Sequence, residues 1–402
     1  MRHGKLFGGW ALAAWLWVGL TNGSFADGSS ITLNGSPQLP FELIDNRIFL
    51  QVMVNGKGPF QFIFDTGGRN ILDLRVAKEL GLALTGDEPV DGAGAATQQA
   101  WSTHVDSASI GDIQMRAQDF MVLSLDAIRQ AIGFRRLDGI VGRELFERFV
   151  VDIDYGESRL TFLEPARWTP PKEISPAIAL GYIGDIPAVT ATVDGLRERF
   201  VIDTGDRSSL TLFGPFVKRH SLRAKYPRKV RAVTGWGVGG PIPADVTRAM
   251  QVEIGGFTVR DVVTRLPLLD RGAFASTDVA GSVGTGLLKR FRVVFDYSRR
   301  RMFLSPNASF GAHDPHDRSG LWLSMADGGF RVMSVVDGSP AAVGGVRVDD
   351  IVTAVNGVAA VDIFLVELRE RLKTAKPGSI VRLKLKTIEG EREVELTLRD
   401  LI

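Results

Sequence analysis

The run Gly58-Pro59-Phe60-Gln61-Phe62-Ile63-Phe64-Asp65-Thr66-Gly67 returns later in the chain as Leu196-Arg197-Glu198-Arg199-Phe200-Val201-Ile202-Asp203-Thr204-Gly205. Each copy is an apolar, β-prone stretch that ends in Asp-Thr-Gly, so each reads as a buried strand breaking into a turn. Arg69 and Arg207 stand at the same offset past the two turns. A second block follows each copy. Residues 142–155 (GRELFERFVVDIDY) align without gaps to 284–297 (GTGLLKRFRVVFDY), with Gly142/Gly284, Leu145/Leu287, Arg148/Arg290, Phe149/Phe291, Val151/Val293, Asp154/Asp296 and Tyr155/Tyr297 identical. Asp65 precedes Gly142 by 77 positions and Asp203 precedes Gly284 by 81. Two motifs in one order at nearly equal spacing mark a tandem duplication of one all-β lobe.

A single Asp-Thr-Gly is an ordinary turn signal. Two copies in duplicated lobes are different, because residues related by a two-fold axis face each other where they lie near it. Asp65 and Asp203 are thereby candidates for a carboxylate pair at the lobe boundary. Two such carboxylates in contact share one proton, since both cannot ionise cheaply. The ionised member can take a proton from a water while the protonated member polarises the carbonyl under attack. Peptide hydrolysis by this route needs no metal and no cofactor. Gly67 and Gly205 let the backbone turn beneath each aspartate. Asp206 adds a third acid beside the pair, and Arg69 and Arg207 add positive charge near it.

On Phe64-Asp65-Thr66-Gly67 and Ile202-Asp203-Thr204-Gly205 both copies resemble the bacterial retropepsin-like and pepsin-like aspartic proteases, over roughly residues 39–306. Asp138-Gly139-Ile140-Val141-Gly142 is similar to that family's second glycine motif, and Ser282-Val283-Gly284 to a looser version of it. The resemblance implies a bilobal, mainly β body with Asp65 and Asp203 catalytic. It also implies Thr66 and Thr204 hydrogen-bonded across to the opposite lobe, Gly142 and Gly284 packed under the turns, and a β-hairpin flap over a polypeptide substrate. Gly92-Ala93-Gly94-Ala95 and Gly235-Trp236-Gly237-Val238-Gly239-Gly240 lie between the two motifs of each copy, where a flap belongs. Gly235, Gly237 and Gly240 also have dinucleotide-loop spacing, but Pro241-Ile242-Pro243 leaves no helix to receive a pyrophosphate. The chain departs from the family in two respects. Gly68 and Asp206 stand where many pepsin-like enzymes have a Ser or Thr supporting the carboxylate, and no flap tyrosine is present; Trp101 and Trp236 read as packing residues.

Past about residue 319 the texture changes. Ser339 and Pro340 read as the N-cap and first residue of a helix, 350–355 as a strand closed by Asn356-Gly357, and 361–373 as a second helix. Val381, Leu383 and Leu385, then Val394, Leu396 and Leu398, alternate on either side of Glu389-Gly390 as a hairpin. This small α+β domain closely resembles the PDZ domains of bacterial envelope proteases. The resemblance implies that Gly320, Leu321, Trp322 and Leu323 form a peptide-binding loop, with peptide C-termini as partners added to the next strand.

The bulk properties agree. A chain of 402 residues supports two or three domains, and a net charge of +2 gives no footing for nucleic acid. No cysteine is present, which excludes disulfides and thiolate chemistry. The five histidines form no H-E-x-x-H motif, no G-x-S-x-G elbow occurs, and His313 and His316 fall in an expected linker, 305–319, with a solvated surface. Arg2, His3 and Lys5, the apolar stretch 6–20 and Ser24-Phe25-Ala26 read as an export signal. The expected layout is a signal peptide at 1–26, protease lobes at 27–170 and 171–308, and the linker and PDZ domain at 309–402. An exported monomer is expected, periplasmic or extracellular, membrane-bound only if the signal is uncleaved. Two other readings fit the same residues: an inactive pseudoprotease that holds peptides, and a homodimer in which one competent lobe pairs across the interface.

Overall fold

The computed structural model describes residues 29–134, 136–171 and 176–402. The expected signal peptide at 1–26 lies outside them.

The strand Lys57–Asp65 is buried along its whole apolar end because it has a neighbour on each side. Arg47–Val54 pairs with it antiparallel, and Gly139–Gly142 pairs parallel in the register Val141 to Phe64 and Gly142 to Asp65. A strand enclosed in this way reads as a continuous apolar run and not as an alternating one. The second copy repeats the arrangement: Leu196–Asp203 lies between Ile186–Val193, antiparallel, and Gly281–Gly284, parallel, with Gly284 opposite Asp203. The two lobes are a nine-stranded and an eight-stranded sheet built around these matched cores.

A six-stranded sheet joins the lobes. Its centre is the pair Val150–Asp154 and Phe291–Asp296, the duplicated block itself, running antiparallel. Val151 faces Phe295 and Ile153 faces Val293, so the register is symmetric about Asp152 and Val294. That is the two-fold axis expected of a duplication. Phe146 stacks on Phe64 at 4.8 Å and on Tyr297 at 5.3 Å, and meets Phe295 edge-on at 5.3 Å. One aromatic core therefore passes from lobe to lobe, where ring pairs add stabilisation beyond their buried area.

The C-terminal domain is a six-stranded antiparallel sheet with Leu321–Ala326 at its edge, closed by helices Pro340–Val343 and Leu365–Thr374. Ser339 caps the first helix through its hydroxyl, which accepts from the Ala342 N–H at 3.3 Å. The second helix starts later than the apolar pattern implies, because Ala360–Asp362 winds as a 3-10 turn and Ile363 and Phe364 are extended. The stretch 305–319 is not a loose linker. Asp314 is buried, accepts from the Val263 N–H at 2.8 Å, and lies 3.8 Å from Arg290. His316 is half-buried, and burial pushes its imidazole down to about 3.

Candidate active site

The turns after the two buried strands meet at the axis and are tied by their threonines. The Thr66 N–H donates to the Thr204 hydroxyl at 2.9 Å, and the Thr204 N–H to the Thr66 hydroxyl at 3.1 Å. Each hydroxyl in turn donates to a strand carbonyl of the other lobe: Thr66 to Ile202 at 2.9 Å, Thr204 to Phe64 at 3.3 Å. All four groups are buried, where unmade hydrogen bonds are expensive, so the grip fixes the separation of the aspartates. A Cβ placed on Gly205 would stand 2.4 Å from Asp65 Oδ2, so the Asp65 carboxylate lies directly against the turn that carries Asp203. Beneath Asp65, a Cβ on Gly142 would stand 1.9 Å from the Asp65 carbonyl oxygen. Only glycine fits either place.

Both carboxylates are at least 97% buried, Asp65 being 2% exposed and Asp203 3%. Each is held by main-chain donors: Gly67 N–H to Asp65 at 3.0 Å, and Gly205 and Asp206 N–H to Asp203 at 2.9 Å each. No Ser or Thr hydroxyl follows either turn, where Gly68 and Asp206 stand. Gly68 could not carry one, since its Cβ would lie 2.8 Å from Ile140 Cγ2 and 2.9 Å from Asp65 Cβ. Burial pushes the Asp65 carboxyl up to about 6 despite these donors. Asp203 is pushed well above the usual range by burial, then by the negative charges of Asp65 and Asp206. The two carboxyls titrate as a pair, both pushed up, with one proton shared between them.

Asp206 is not a third member of the pair. Its carboxylate accepts from Arg265 at 2.8 Å, Ser282 at 3.0 Å, Thr211 at 3.2 Å and the Ser208 N–H at 2.9 Å. Burial pushes Asp206 up, but Arg265 and these donors outweigh it and hold it ionised. Arg69 and Arg207 also turn away from the aspartates. They bridge the lobes as two-fold counterparts, Arg69 to Asp185 at 2.8 Å and Arg207 to Asp45 at 2.6 Å.

The two glycine-rich hairpins touch at their tips. The N-lobe hairpin comprises Thr85–Val90 and Gln98–Ile110, the C-lobe hairpin Val230–Gly237 and Gly240–Ile254. Gly94 N–H donates to the Val238 carbonyl at 2.7 Å and Ala96 N–H to Gly239 at 2.9 Å. Gly92 packs on Val238, leaving no room for a Cβ. Gly235, Trp236 and Gly237 form the outgoing C-lobe strand, and Trp236 packs against the N-lobe cluster around Val90 and Ala100. Trp101 packs on the main core.

Residues 50–145 match a family model described as aspartyl protease, and residues 331–387 match one described as PDZ domain. In order along the chain, the two matched segments are similar to an aspartyl protease and to a PDZ domain. Among solved structures, the aspartic proteinase from Irpex lacteus is similar at 13% identity and a TM-score of 0.45, covering 70% of this chain and 99% of that one. No curated protein matches the sequence.

Several supports of the Asp65–Asp203 site carry no signal in the motifs. Arg47, 1% exposed, donates to the Gly205 carbonyl at 3.1 Å while paired with Asp45. Tyr297 donates to the Thr66 carbonyl at 3.1 Å, and Thr285 to the Thr204 carbonyl at 2.9 Å. Tyr297 was detectable only as an identity in the duplicated block. Of the candidate peptide-binding residues, Gly320 packs against Ser339 and Val336, and Leu321 and Leu323 belong to the core of the C-terminal domain itself. Leu321 and Leu323 are buried, and Trp322 lies between Arg369 of its own domain at 4.5 Å and Arg207 of the protease at 5.5 Å.

Proposed function

We propose that the protein is an exported aspartic endopeptidase that hydrolyses peptide bonds with one water activated between Asp65 and Asp203, and that its PDZ domain binds peptide. In this mechanism ionised Asp65 takes a proton from the water as its oxygen attacks the scissile carbonyl. Protonated Asp203 donates to the carbonyl oxygen. The tetrahedral intermediate then collapses: Asp65 passes the proton it took to the leaving nitrogen as the C–N bond breaks, one hydroxyl of the intermediate returns a proton to Asp203 as the carbonyl re-forms, and the pair returns to its starting charge. The reciprocal Thr66–Thr204 grip is the observation that carries this reading, since it supports two acids held at one place by one chain. A single chain that supplies both turns needs no second copy. The touching flaps must part to admit substrate and would close again to exclude water.

The pH dependence of kcat/KM on an unfolded protein substrate tests the division of roles. The productive state has one carboxyl ionised and one protonated. Below about pH 6 Asp65 is also protonated, so the rate falls about tenfold per pH unit on the acid side. Asp203 loses its proton only at higher pH. The expected profile is therefore a plateau near neutrality with its acid limb close to 6. An acid limb near 4, the range of an unperturbed Asp, contradicts the assignment.

A further inference from the structure

The strand Leu321–Ala326 lies at the edge of the PDZ sheet, and the helix Leu365–Thr374 forms the other wall of the groove that an added peptide strand would enter. That groove already holds a piece of the protease. The N-lobe helix Asp126–Ile132 packs on Leu321–Ala326. Arg369, on the PDZ helix, donates to the Ile132 carbonyl at 2.8 Å and the Ala131 carbonyl at 2.5 Å. These are carbonyls of the helix C-terminus, the orphaned acceptors at the negative end of the helix dipole. The same guanidinium donates to the Leu323 carbonyl at 2.5 Å, on the edge strand itself. Gly133, the left-handed cap of that helix at φ 78°, sits so close to Leu365 that a Cβ would stand 2.7 Å from the Leu365 Cβ.

We propose that the PDZ groove is filled in cis by the C-terminal turn of the protease helix Asp126–Ile132, and that an extended peptide enters only by displacing it. The helix offers the groove what a peptide C-terminus offers, clustered oxygen acceptors at a chain end. Arg369 reads those acceptors while occupying the Leu323 carbonyl. The two-fold-related surfaces show what the docking covers: the Arg69–Asp185 bridge has side chains 39% and 33% exposed, while its counterpart Arg207–Asp45, under the PDZ domain, has 13% and 4%. The C-lobe flap strand Val230–Gly237 touches both the displaced helix and the PDZ strands, so peptide entry and flap release are linked. The proposal rests on the peptide-binding reading of the PDZ domain and not on catalysis.

Gly133→Ala in the full chain wedges the interface open from the protease side. Gly81→Ala is its control, because Gly81 has a similar φ of 69° with open space around it, so both variants carry the backbone strain and only one the clash. Two readouts are taken without any activity assay: amide hydrogen exchange of Leu321–Ala326, and capture of a fluorescein-labelled octapeptide pool with randomised C-terminal residues and free carboxylates. The apparent affinity of a groove that is rarely free is reduced by the fraction free. Gly133→Ala is therefore expected to exchange at least about tenfold faster in that strand and to bind the pool at least about tenfold more tightly. Gly81→Ala should match wild type in both. Arg369→Met, which keeps the bulk and removes the hydrogen bonds, should reproduce the faster exchange even if Gly133→Ala folds poorly. Exchange equal to wild type in both interface variants overturns cis docking. Faster exchange with no gain in peptide capture overturns the gating and the peptide-binding reading together, whatever the protease activity proves to be.

Discussion

Asp203→Asn and Asp65→Asn are each expected to lower kcat/KM on an unfolded protein substrate by at least about 10³-fold, with little change in folding. The magnitude follows from what each carboxyl supplies. Asn at 203 cannot pass a proton to the carbonyl oxygen, and Asn at 65 cannot accept one from water; a positioned acid or base contributes about 10²–10⁴ on its own, and here one proton serves both roles. Asn keeps the shape and the main-chain hydrogen bonds from Gly67, or from Gly205 and Asp206. It also removes a buried carboxyl whose ionisation is costly, so stability should hold or rise. Melting temperature and kcat/KM measured on the same samples separate the two effects. Either variant retaining wild-type activity means that the acids do not act as a pair.

The largest effect on stability is expected at Arg265. Its side chain and that of Asp206 are 5% and 1% exposed, joined at 2.8 Å, with Thr211 bonded to both. Removing one partner of a buried ion pair strands the other charge, at a cost of about 3–5 kcal/mol. Arg265→Met should therefore lose about that much on chemical denaturation. The Arg265→Met/Asp206→Asn double variant should lose much less than the sum of the single losses, because neither charge is then stranded. Asp206→Asn alone has a second consequence. It removes one of the negative charges that push Asp203 up, so the alkaline limb of the rate profile should move to lower pH. Additive losses in the double variant would show that the pair is not the unit of stability.

Much of the body was legible because duplication writes the same physical requirement twice. The motifs marked Gly142 and Gly284 as glycines expected beneath the turns, but not their parallel pairing with Asp65 and Asp203. The aligned blocks 142–155 and 284–297 announced the two-fold relation, though not that their strands pair with each other. What stayed hidden depends on contacts between distant segments. Arg47 and Arg265 sit in strands where a lone charged residue reads as solvent-facing, and only the fold reveals the carboxylate each one meets. The glycine-rich hairpins were visible, but not that they meet tip to tip, since that contact is made of main-chain groups any residue possesses. The segment 305–319 has linker composition, yet Asp314 pins it to the C-lobe. The contacts of Arg369 with the Ala131 and Ile132 carbonyls were also out of reach, because helix C-terminal carbonyls leave no residue signature.

The most direct measurement uses a peptide spanning the best-cleaved site of such a substrate, with the scissile amide replaced by a hydroxyl-bearing tetrahedral isostere. A centre built for the transition state must bind this mimic at least about 10²-fold more tightly than the parent peptide. Asp203→Asn should lose that preference while still binding the parent. Equal affinity of wild type for mimic and parent would contradict an aspartate pair poised to stabilise a tetrahedral intermediate.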